Sequence, residues 1–233
     1  EPIIIIIIAS VIFIQVDLPS SNVKVSKHCW LGEQTQVCLK QDLQIAESGQ
    51  TDLSFDVGLN FINKVLQQHD VYIDSNVTGE VNAQWAAKQT PTITSLLHFS
   101  PGSVTLTQAD KKPNVLMNWS QGTAKFDYAN DKLSSGLTLA STNNTNLIDI
   151  SVDIALIDNY PISGKAQINQ LDLKPLQAFV NDITQMDGSL NGDLTVNGTL
   201  YEPVIEGPLD INLANIKLLS TPTVIQSAKF NLH

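Results

Sequence analysis

The stretch that decides the fold is GSLNGDLTVNGTLYEPVIEGPLDINL, residues 188–213, in which apolar side chains recur at every second position. Side chains of an extended strand point alternately to its two faces, so this period of two predicts β-strands with one apolar face. Three glycines, Gly188, Gly192 and Gly198, interrupt the alternation, which resumes after Pro208. We therefore interpret the stretch as a β-meander whose turns lie at glycine and proline.

The same alternation runs through most of the chain and is clearest in IDISVDIAL, residues 148–156. There the isoleucines, Val152 and Leu156 share one parity, and Asp149, Ser151 and Asp153 share the other. Further alternating runs occupy residues 77–85, 93–99, 115–119, 124–128 and 137–139, and turn-type residues separate them. The sequence therefore predicts an all-β protein with many strands.

Composition narrows the class of protein. The chain has 233 residues, of which 42% are hydrophobic but only 6% aromatic, so its apolar content is mainly aliphatic. Its formal net charge is -10, with 13 Lys and Arg against 23 Asp and Glu. Because phosphate binding requires clustered basic side chains, this balance argues against nucleic acid and anionic membrane surfaces as partners.

The chain begins with an apolar block in which residues 3–8 are consecutive isoleucines. The block, about a dozen residues long, is shorter than the ~20 apolar residues that a membrane-spanning helix needs. Because β-branched residues favour extended structure, we predict a strand here. Both ends of the sequence fall in strand-like segments, so we interpret residues 1–233 as one elongated fragment of a longer protein.

Two regions, residues 53–85 and 171–200, follow a common plan of strand, short helical pattern and glycine-led strand. The helical patterns are residues 59–66 and residues 176–183. Helices this short are not stable in isolation, so each must dock its apolar side chains on the sheet. We interpret the two regions as internal repeats and the helices as caps on an elongated structure.

Cys29 and Cys38 lie in KHCWLGEQTQVCLK, where residues 31–33 offer a turn between two short strands. A disulfide across such a hairpin fits this arrangement and points to an oxidising compartment. Two alternatives remain, namely free buried thiols and a metal site. The metal site is the weakest of the three, because His28 is the one further ligand nearby.

Catalytic sites need converging polar side chains, and the sequence offers few candidates. The histidines have no metal-binding spacing, and they are His28, His69, His98 and His233. Residues 118–122, Asn-Trp-Ser-Gln-Gly, lack the first glycine of a nucleophile elbow and lie in a hairpin pattern. We therefore predict a non-enzymatic protein with no catalytic residues, no metal and no cofactor.

The spacing Gly-x-Leu-x-Gly-x-Leu-x-Val-x-Gly-Thr-Leu-x-x-Pro-x-x-x-Gly over residues 188–207 resembles the repeat of the TamB-like family in the AsmA-like superfamily. The helical pattern before it and the cysteine-containing segment belong to the same resemblance, which covers most of the chain. It implies a periplasmic protein, anchored in the bacterial inner membrane by a helix outside this sequence, that works with a TamA-like outer-membrane barrel. The implied fold is an elongated sheet curled into a groove, a β-taco, with its apolar face inside.

A continuous apolar face must be covered, closed on itself or used for binding. The first hypothesis is that the groove carries phospholipid acyl chains between the inner and outer membranes and supports assembly of outer-membrane and autotransporter proteins. The second is that the groove or its edge strands shelter unfolded β-strands of outer-membrane polypeptides without lipid transfer. The third is an ordinary β-sandwich or solenoid, such as a surface adhesin, whose aliphatic faces are core.

The first hypothesis makes specific residues the groove lining, because they share the apolar parity of the two clearest alternating stretches. The predicted lining residues are Ile148, Ile150, Val152, Ile154, Leu156, Leu190, Leu194, Val196, Leu200, Leu209, Ile211 and Leu213.

Overall fold

A computed structural model describes residues 3–7, 12–17, 22–107, 113–141, 146–179, 183–219 and 224–232. Most of these residues belong to strands, which are β1 (Ile3–Ile7), β2 (Ile12–Asp17), β3 (Asn22–Val25), β4 (Cys29–Gly32), β5 (Thr35–Leu39), β6 (Leu43–Ile45), β7 (Gly49–Gly58), β8 (Val71–Asp74), β9 (Asn76–Trp85), β10 (Thr92–Phe99), β11 (Gly102–Leu106), β12 (Asn114–Trp119), β13 (Gln121–Ala129), β14 (Lys132–Ala140), β15 (Asn146–Ala155), β16 (Ile162–Asp172), β17 (Ile183–Gly198), β18 (Pro203–Glu206), β19 (Leu209–Leu218) and β20 (Val224–Leu232). The helical segments are the 3-10 helix Leu59–Ile62, α1 (Asn63–Leu66), and the 3-10 helices Gln67–His69 and Lys174–Phe179.

Thirteen strands form one large antiparallel sheet. Its order is β20-β19-β17-β16-β15-β14-β13-β10-β9-β7-β5-β4, and β18 pairs with the end of β17. The sheet curls but does not close into a barrel, which confirms the predicted all-β fold with an elongated curled sheet. Two smaller sheets accompany it, one in the order β1-β2-β3-β6 and one in the order β12-β11-β8.

Three chain segments bend at serines where they pass between the large sheet and the three-stranded sheet. β8 leads into β9 through Ser75, β10 into β11 through Ser100 and Pro101, and β12 into β13 through Ser120. The Ser75 hydroxyl donates to the Ser100 carbonyl oxygen at 3.0 Å, and the Ser120 hydroxyl donates to the Ser141 carbonyl oxygen at 2.6 Å. These hydroxyls satisfy carbonyl groups at the bend, where the regular ladders are interrupted.

Helical segments are tied to both outer strands of the three-stranded sheet. At β8, the side-chain amide of Asn63 in α1 forms hydrogen bonds of 2.9 and 2.8 Å with the backbone of Ile73. At β12, the Asn114 side chain donates to the carbonyl oxygen of Pro175 in the last 3-10 helix at 2.7 Å. Each helix is therefore fixed to the sheet by an asparagine rather than standing alone.

The helix predicted at residues 59–66 is confirmed, and it extends to His69 as 3-10, α and 3-10 segments in succession. The second predicted helix, residues 176–183, is wrong in its bounds and type. The structure has a 3-10 helix that begins at Lys174, whose backbone N–H donates to the Asp172 carboxylate at 2.9 Å, and Ile183 already belongs to β17. The Asp172 side chain caps the helix, and Pro175, with its fixed φ, favours helical geometry in the first turn, so the helix begins earlier than predicted. Residues 180–182 of the predicted helix lie outside the described residues.

β17 is one strand of 16 residues, Ile183–Gly198. The prediction that Gly188 and Gly192 mark turns is therefore wrong, because both lie inside this strand. A Cβ added to Gly188 would lie 2.4 Å from the carbonyl oxygen of Asn212, so the glycine permits a close approach of two backbones. Gly198 does end the strand, with a φ of 96° that other residues rarely adopt.

A bent hairpin joins the four-stranded sheet to the large one. Its two arms are β3–β4 and β5–β6, so β3 pairs with β6 in the small sheet and β4 pairs with β5 in the large one. The Asp42 carboxylate holds the bend between these pairs. It accepts the backbone N–H of Lys27 at 2.9 Å and lies 3.0 Å from the Lys24 ammonium nitrogen. Both contacts favour the charged form and lower the pKa of Asp42. The strand predicted for residues 3–8 is present over residues 3–7 as β1, and residue 8 lies outside the described residues.

Candidate functional site

The large sheet has one mainly apolar face, because directly paired residues of antiparallel strands point to the same side. Three cross-strand rows define what we call the apolar face. The first row is Val57, Val77, Phe99, Gly122, Leu139, Ile148, Ile168, Gly192 and Leu209. The second is Phe55, Gly79, Leu97, Ala124, Leu137, Ile150, Ala166 and Leu194. The third is Leu53, Val81, Ser95, Phe126, Ser135, Val152, Gly164 and Val196.

The intervening residues form what we call the polar face. One of its rows is Ser54, Glu80, Leu96, Lys125, Gly136, Ser151, Lys165, Thr195 and Glu206. Each strand therefore separates aliphatic from polar side chains according to its period of two.

Most of the predicted lining residues lie at apolar-face positions. Ile148, Ile150, Val152, Leu194, Val196 and Leu209 belong to the three rows. Ile154 extends the face beyond the third row, where it pairs with Leu133 and Ile162.

Beyond the first row, Leu190 pairs with Ile211 and Leu213 pairs with Gly188.

Two predicted lining residues lie outside the strands. Leu156 follows the end of β15, and Leu200 lies in the turn after β17. Their exposed fractions are 40% and 49%, so neither is covered by neighbouring side chains to the extent of a core residue. That all twelve residues line a binding groove stays a prediction.

Most side chains of the apolar face are half-buried, the most buried lying at one end of the strands and the most exposed toward the other. In the first row, beside the serine bend, Val77 and Leu139 are 5% and 6% exposed. In the third row Phe126 is 41% exposed. Ile93, which pairs with Ala83 and Tyr128 one row beyond the third, is 38% exposed. A second sheet packed across the whole face would bury both ends alike, so this gradient does not fit an ordinary β-sandwich. The face is a half-open apolar surface.

Glycines on the apolar face make room for its large side chains. A Cβ added to Gly79 would lie 2.8 Å from Leu97 Cδ2 and 3.0 Å from Phe55 Cζ. A Cβ added to Gly122 would lie 2.6 Å from Leu139 Cδ2. At both positions the missing side chain leaves room for a larger side chain of the neighbouring strand. Sequence reasoning missed this role because it took glycine as a turn signal, although the glycines share the apolar parity of their strands.

Several large residues of the apolar face were not among the predicted lining residues. They are Phe55, Leu97, Phe99, Phe126, Leu137 and Leu139. All but Phe55 fall in the shorter alternating runs described above, so the signal was present in the sequence. What the runs lacked was an indication of which strands are neighbours, and the pairing of distant strands supplies it.

A cavity of about 670 Å³ opens mainly among polar-face side chains of β7, β9, β10 and β13. Its lining includes Thr78, Glu80, Lys125 and Asp127, and Glu80 also pairs with Lys40. The cavity is therefore distinct from the open apolar surface that the sequence predicted as the binding site.

The cysteines form a disulfide. Cys29 of β4 and Cys38 of β5 are directly paired, and their sulfur atoms are bonded. The disulfide alternative is thus confirmed over free thiols and a metal site. It links the last two strands at one edge of the large sheet, where an unpaired strand has backbone hydrogen bonds on one side only.

The charged groups of the polar face make local contacts. Ser134 donates to the Asp153 carboxylate and Lys132 lies 2.9 Å from it, and both contacts lower the pKa of Asp153. Within the described ranges no group of three or more His, Cys, Asp or Glu is placed to hold a metal ion. The helices of the same ranges are all too short or too polar to cross a membrane.

Comparison with known proteins gives two matches. A family model described as "TamB, N-terminal domain" matches residues 7–211. The chain is also 25% identical, over 231 residues, to the protein of Haemophilus influenzae named translocation and assembly module subunit TamB, in an alignment that covers 92% of this chain. The chain spans only 16% of the length of that relative. No solved structure matches the chain.

Proposed function

The chain belongs to the TamB N-terminal domain family, and from this premise we propose that it is a non-enzymatic groove segment that carries lipid acyl chains across the bacterial periplasm. The observation that carries the proposal is the half-open apolar face, which continues across neighbouring strands of the large sheet. Exposed apolar surface of this extent needs a ligand or a cover.

The size and chemistry of the apolar face suit an acyl chain. Eight strands that are neighbours in the sheet contribute to all three rows, namely β7, β9, β10, β13, β14, β15, β16 and β17. At ~4.8 Å per strand, the face extends for about 34 Å across the sheet. At ~0.8 kcal/mol per methylene, a sixteen-carbon chain in water costs on the order of 12 kcal/mol, and an aliphatic surface would remove much of that barrier.

The wider role rests on the family. We propose that the parent protein is anchored in the inner membrane, lies in the periplasm, and acts as a subunit of a translocation and assembly module with a TamA-like outer-membrane barrel. In this role, lipid delivery between the membranes supports the assembly of outer-membrane and autotransporter proteins. The two regions with a common plan, residues 53–85 and 171–200, are proposed as repeats of one groove-building unit. The whole of residues 1–233 is proposed to act as one groove.

Site-specific photo-crosslinking in cells tests the proposal. A photoreactive amino acid replaces Val152 of the apolar face in the full-length parent protein, and the matched control replaces Ser151, which is exposed on the polar face. The adducts are identified by mass spectrometry. We expect phospholipid adducts at Val152 and none at Ser151.

Each other outcome has a defined meaning. Adducts of outer-membrane polypeptides at Val152, without lipid, would replace lipid transfer by the chaperone hypothesis. Adducts confined to the chain itself at Val152 would show that the apolar face is covered core, and the transport proposal for this segment would be abandoned. Equal lipid labelling at Ser151 would also contradict it, since the residues paired with Ser151 on the polar face are Gly136 and Lys165.

A further inference from the structure

Two neighbouring turns and the short strand β18 expose a group of apolar side chains at the end of the large sheet remote from the serine bend. We call this group the apolar rim, and it consists of Ile157, Tyr160, Leu200, Tyr201, Val204 and Ile205. Ile205 pairs with Val196 and continues the apolar face, whereas Val204 pairs with Asn197 on the polar face, so the rim spans the edge of the sheet. The most exposed are Tyr201 at 75% and Ile205 at 61%. Single exposed apolar side chains are ordinary, but six in two adjoining turns and the short strand beside them are typical of an interaction surface.

The two turns are joined by specific contacts. The backbone N–H of Leu200 donates to the Tyr160 carbonyl oxygen at 3.0 Å, and Pro161 forms an isolated bridge with Thr199. The rings of Tyr160 and Tyr201 meet edge to face, with centroids 6.1 Å apart. The rim is therefore held in place before any partner arrives, which reduces the entropy lost on binding.

The first turn also carries unusual backbone conformations. Asn159 has a φ of 66° and Tyr160 a φ of 45°. Consecutive positive φ values are typical of a hairpin turn, and Asn130 and Asp131 have them between β13 and β14, so turn geometry accounts for this conformation. Tyrosine is among the residues enriched at the centres of protein interfaces.

The charge around the rim selects the kind of partner. Asp158, Glu202 and Glu206 lie in or next to the rim. Two lysines border it: Lys132 pairs with Ala155 in the ladder and its ammonium nitrogen lies 2.9 Å from the Asp153 carboxylate, and Lys165 lies opposite Thr195. Carboxylates therefore outnumber lysines around the rim. A bound partner would therefore meet an apolar centre bordered by carboxylates. We propose that the apolar rim is a docking site for another protein, through an apolar segment of that protein flanked by lysine or arginine side chains.

The same charges argue against two other occupants. A second copy of this chain would place its own three carboxylates near those of the first, and like charges oppose association. An anionic lipid surface would be repelled for the same reason. Neither argument depends on lipid transport, so the docking proposal stands separately from the proposed function.

A defined peptide tests the proposal. The probe is a short fluorescent peptide of alternating leucine and lysine, and its binding to the whole chain is followed by fluorescence anisotropy. We expect Tyr201→Ser to weaken binding by about tenfold, in the range of an interface hot spot. Glu202→Lys should weaken it as well, and a peptide of alternating leucine and glutamate should not bind. The matched control is Leu31→Ser, because Leu31 is 76% exposed but lies on β4 at the other edge of the sheet.

The results separate the occupants. Unchanged binding in both Tyr201→Ser and Ile157→Ser, or equal loss in Leu31→Ser, would overturn the proposal. A concentration-dependent dimer in sedimentation equilibrium that Tyr201→Ser abolishes would overturn it in favour of a second copy. Binding to phosphatidylcholine vesicles that depends on Tyr201 would overturn it in favour of a lipid surface. Circular dichroism checks that each variant keeps its strand content.

Discussion

The hydroxyl of Ser75 donates to the carbonyl oxygen of Ser100 at 3.0 Å, across the bend where the large sheet passes into the three-stranded sheet. Ser75 is only 6% exposed, and the same carbonyl oxygen accepts the indole N–H of Trp119 at 2.9 Å. The bend thus depends on polar side chains in a buried position. Because the first row of the apolar face begins beside it, the bend sets where the face is covered and where it opens.

Removal of the Ser75 hydroxyl should destabilise the bend. We expect Ser75→Ala to lower the free energy of unfolding by about 1–2 kcal/mol, because a buried hydrogen bond is lost while the Ser100 carbonyl oxygen keeps its indole donor. Urea denaturation measures the change. Ser151→Ala on the polar face is the control and should stay within about 0.5 kcal/mol of the wild type. Equal stability of the two variants would mean that the bend does not depend on this bond.

Two glycine substitutions should have opposite effects. A Cβ added to Gly164 would lie 2.4 Å from the Ser151 carbonyl oxygen, whereas the nearest atom to a Cβ on Gly136 is the Ile150 carbonyl oxygen at 3.7 Å. Gly164→Ala should therefore cost about 1–3 kcal/mol, because the paired backbones must separate. Gly136→Ala should be neutral or stabilise by up to about 1 kcal/mol, because alanine restricts the unfolded chain. Thermal unfolding of both variants measures this, and a neutral Gly164→Ala would show that the ladder can widen at little cost.

The burial gradient predicts different costs for two truncations on the apolar face. Leu139 is 6% exposed, so Leu139→Ala should lower the free energy of unfolding by about 2–5 kcal/mol. Phe126 is 41% exposed, and Phe126→Ala should cost less than Leu139→Ala although it removes more atoms. Chemical denaturation gives both values. A larger cost at Phe126 would mean that the face is closed there, and the half-open surface would be rejected.

Asp42 should make part of the stability dependent on pH. Its pKa in the folded chain lies below the ordinary value of 3.8, because the carboxylate accepts the Lys27 backbone N–H and lies beside Lys24. A lowered folded-state pKa means that this stabilisation is fully present above the unfolded pKa and is lost as the pH falls through the folded one.

Thermal unfolding of the wild type and Asp42→Asn, measured from neutral to strongly acidic pH, tests this expectation. The difference between them should be constant near pH 7 and disappear in acid. Lys24→Gln should retain part of it, because the Lys27 N–H, which is the largest single cause of the lowered pKa, remains. A difference that persists unchanged in acid would show that the charge on Asp42 is not responsible.

Loss of the disulfide should destabilise the β4 edge. The cysteines are separated by 9 positions in sequence, and closing so small a loop restricts the unfolded chain by about 2–3 kcal/mol. We expect the double variant Cys29→Ala, Cys38→Ala to lose stability of this order, with faster amide hydrogen exchange in β4 and β5. Reduction of the wild type should reproduce the effect. If exchange in the two strands is unchanged, the hairpin is held by its ladder alone.

The alternation in residues 148–156 is a local property, and it correctly predicted both the strand and the separation of Ile150 and Val152 from Ser151. The glycines of β17 were misinterpreted because a turn and a close backbone approach require the same residue. The cysteine hairpin was predicted because its partners are near in sequence. The serine bend was not predicted, because Ser75 and Ser100 are separated by 25 positions and neither lies in a recognisable motif.

By itself the sequence determined the all-β class and the apolar parity of the strands in its alternating runs, and it favoured the disulfide between neighbouring strands. These properties depend on side chains within one or two strands, where a period of two leaves little choice. Tertiary structure alone decided that Val77 and Leu139 are buried while Phe126 is exposed. It also decided that Gly79 pairs with Leu97 across neighbouring strands, and that the rings of Tyr160 and Tyr201 are in contact. Each of these follows from which strands are neighbours and how the sheet bends, and long-range pairing is set by the packing of the whole chain rather than by any local pattern.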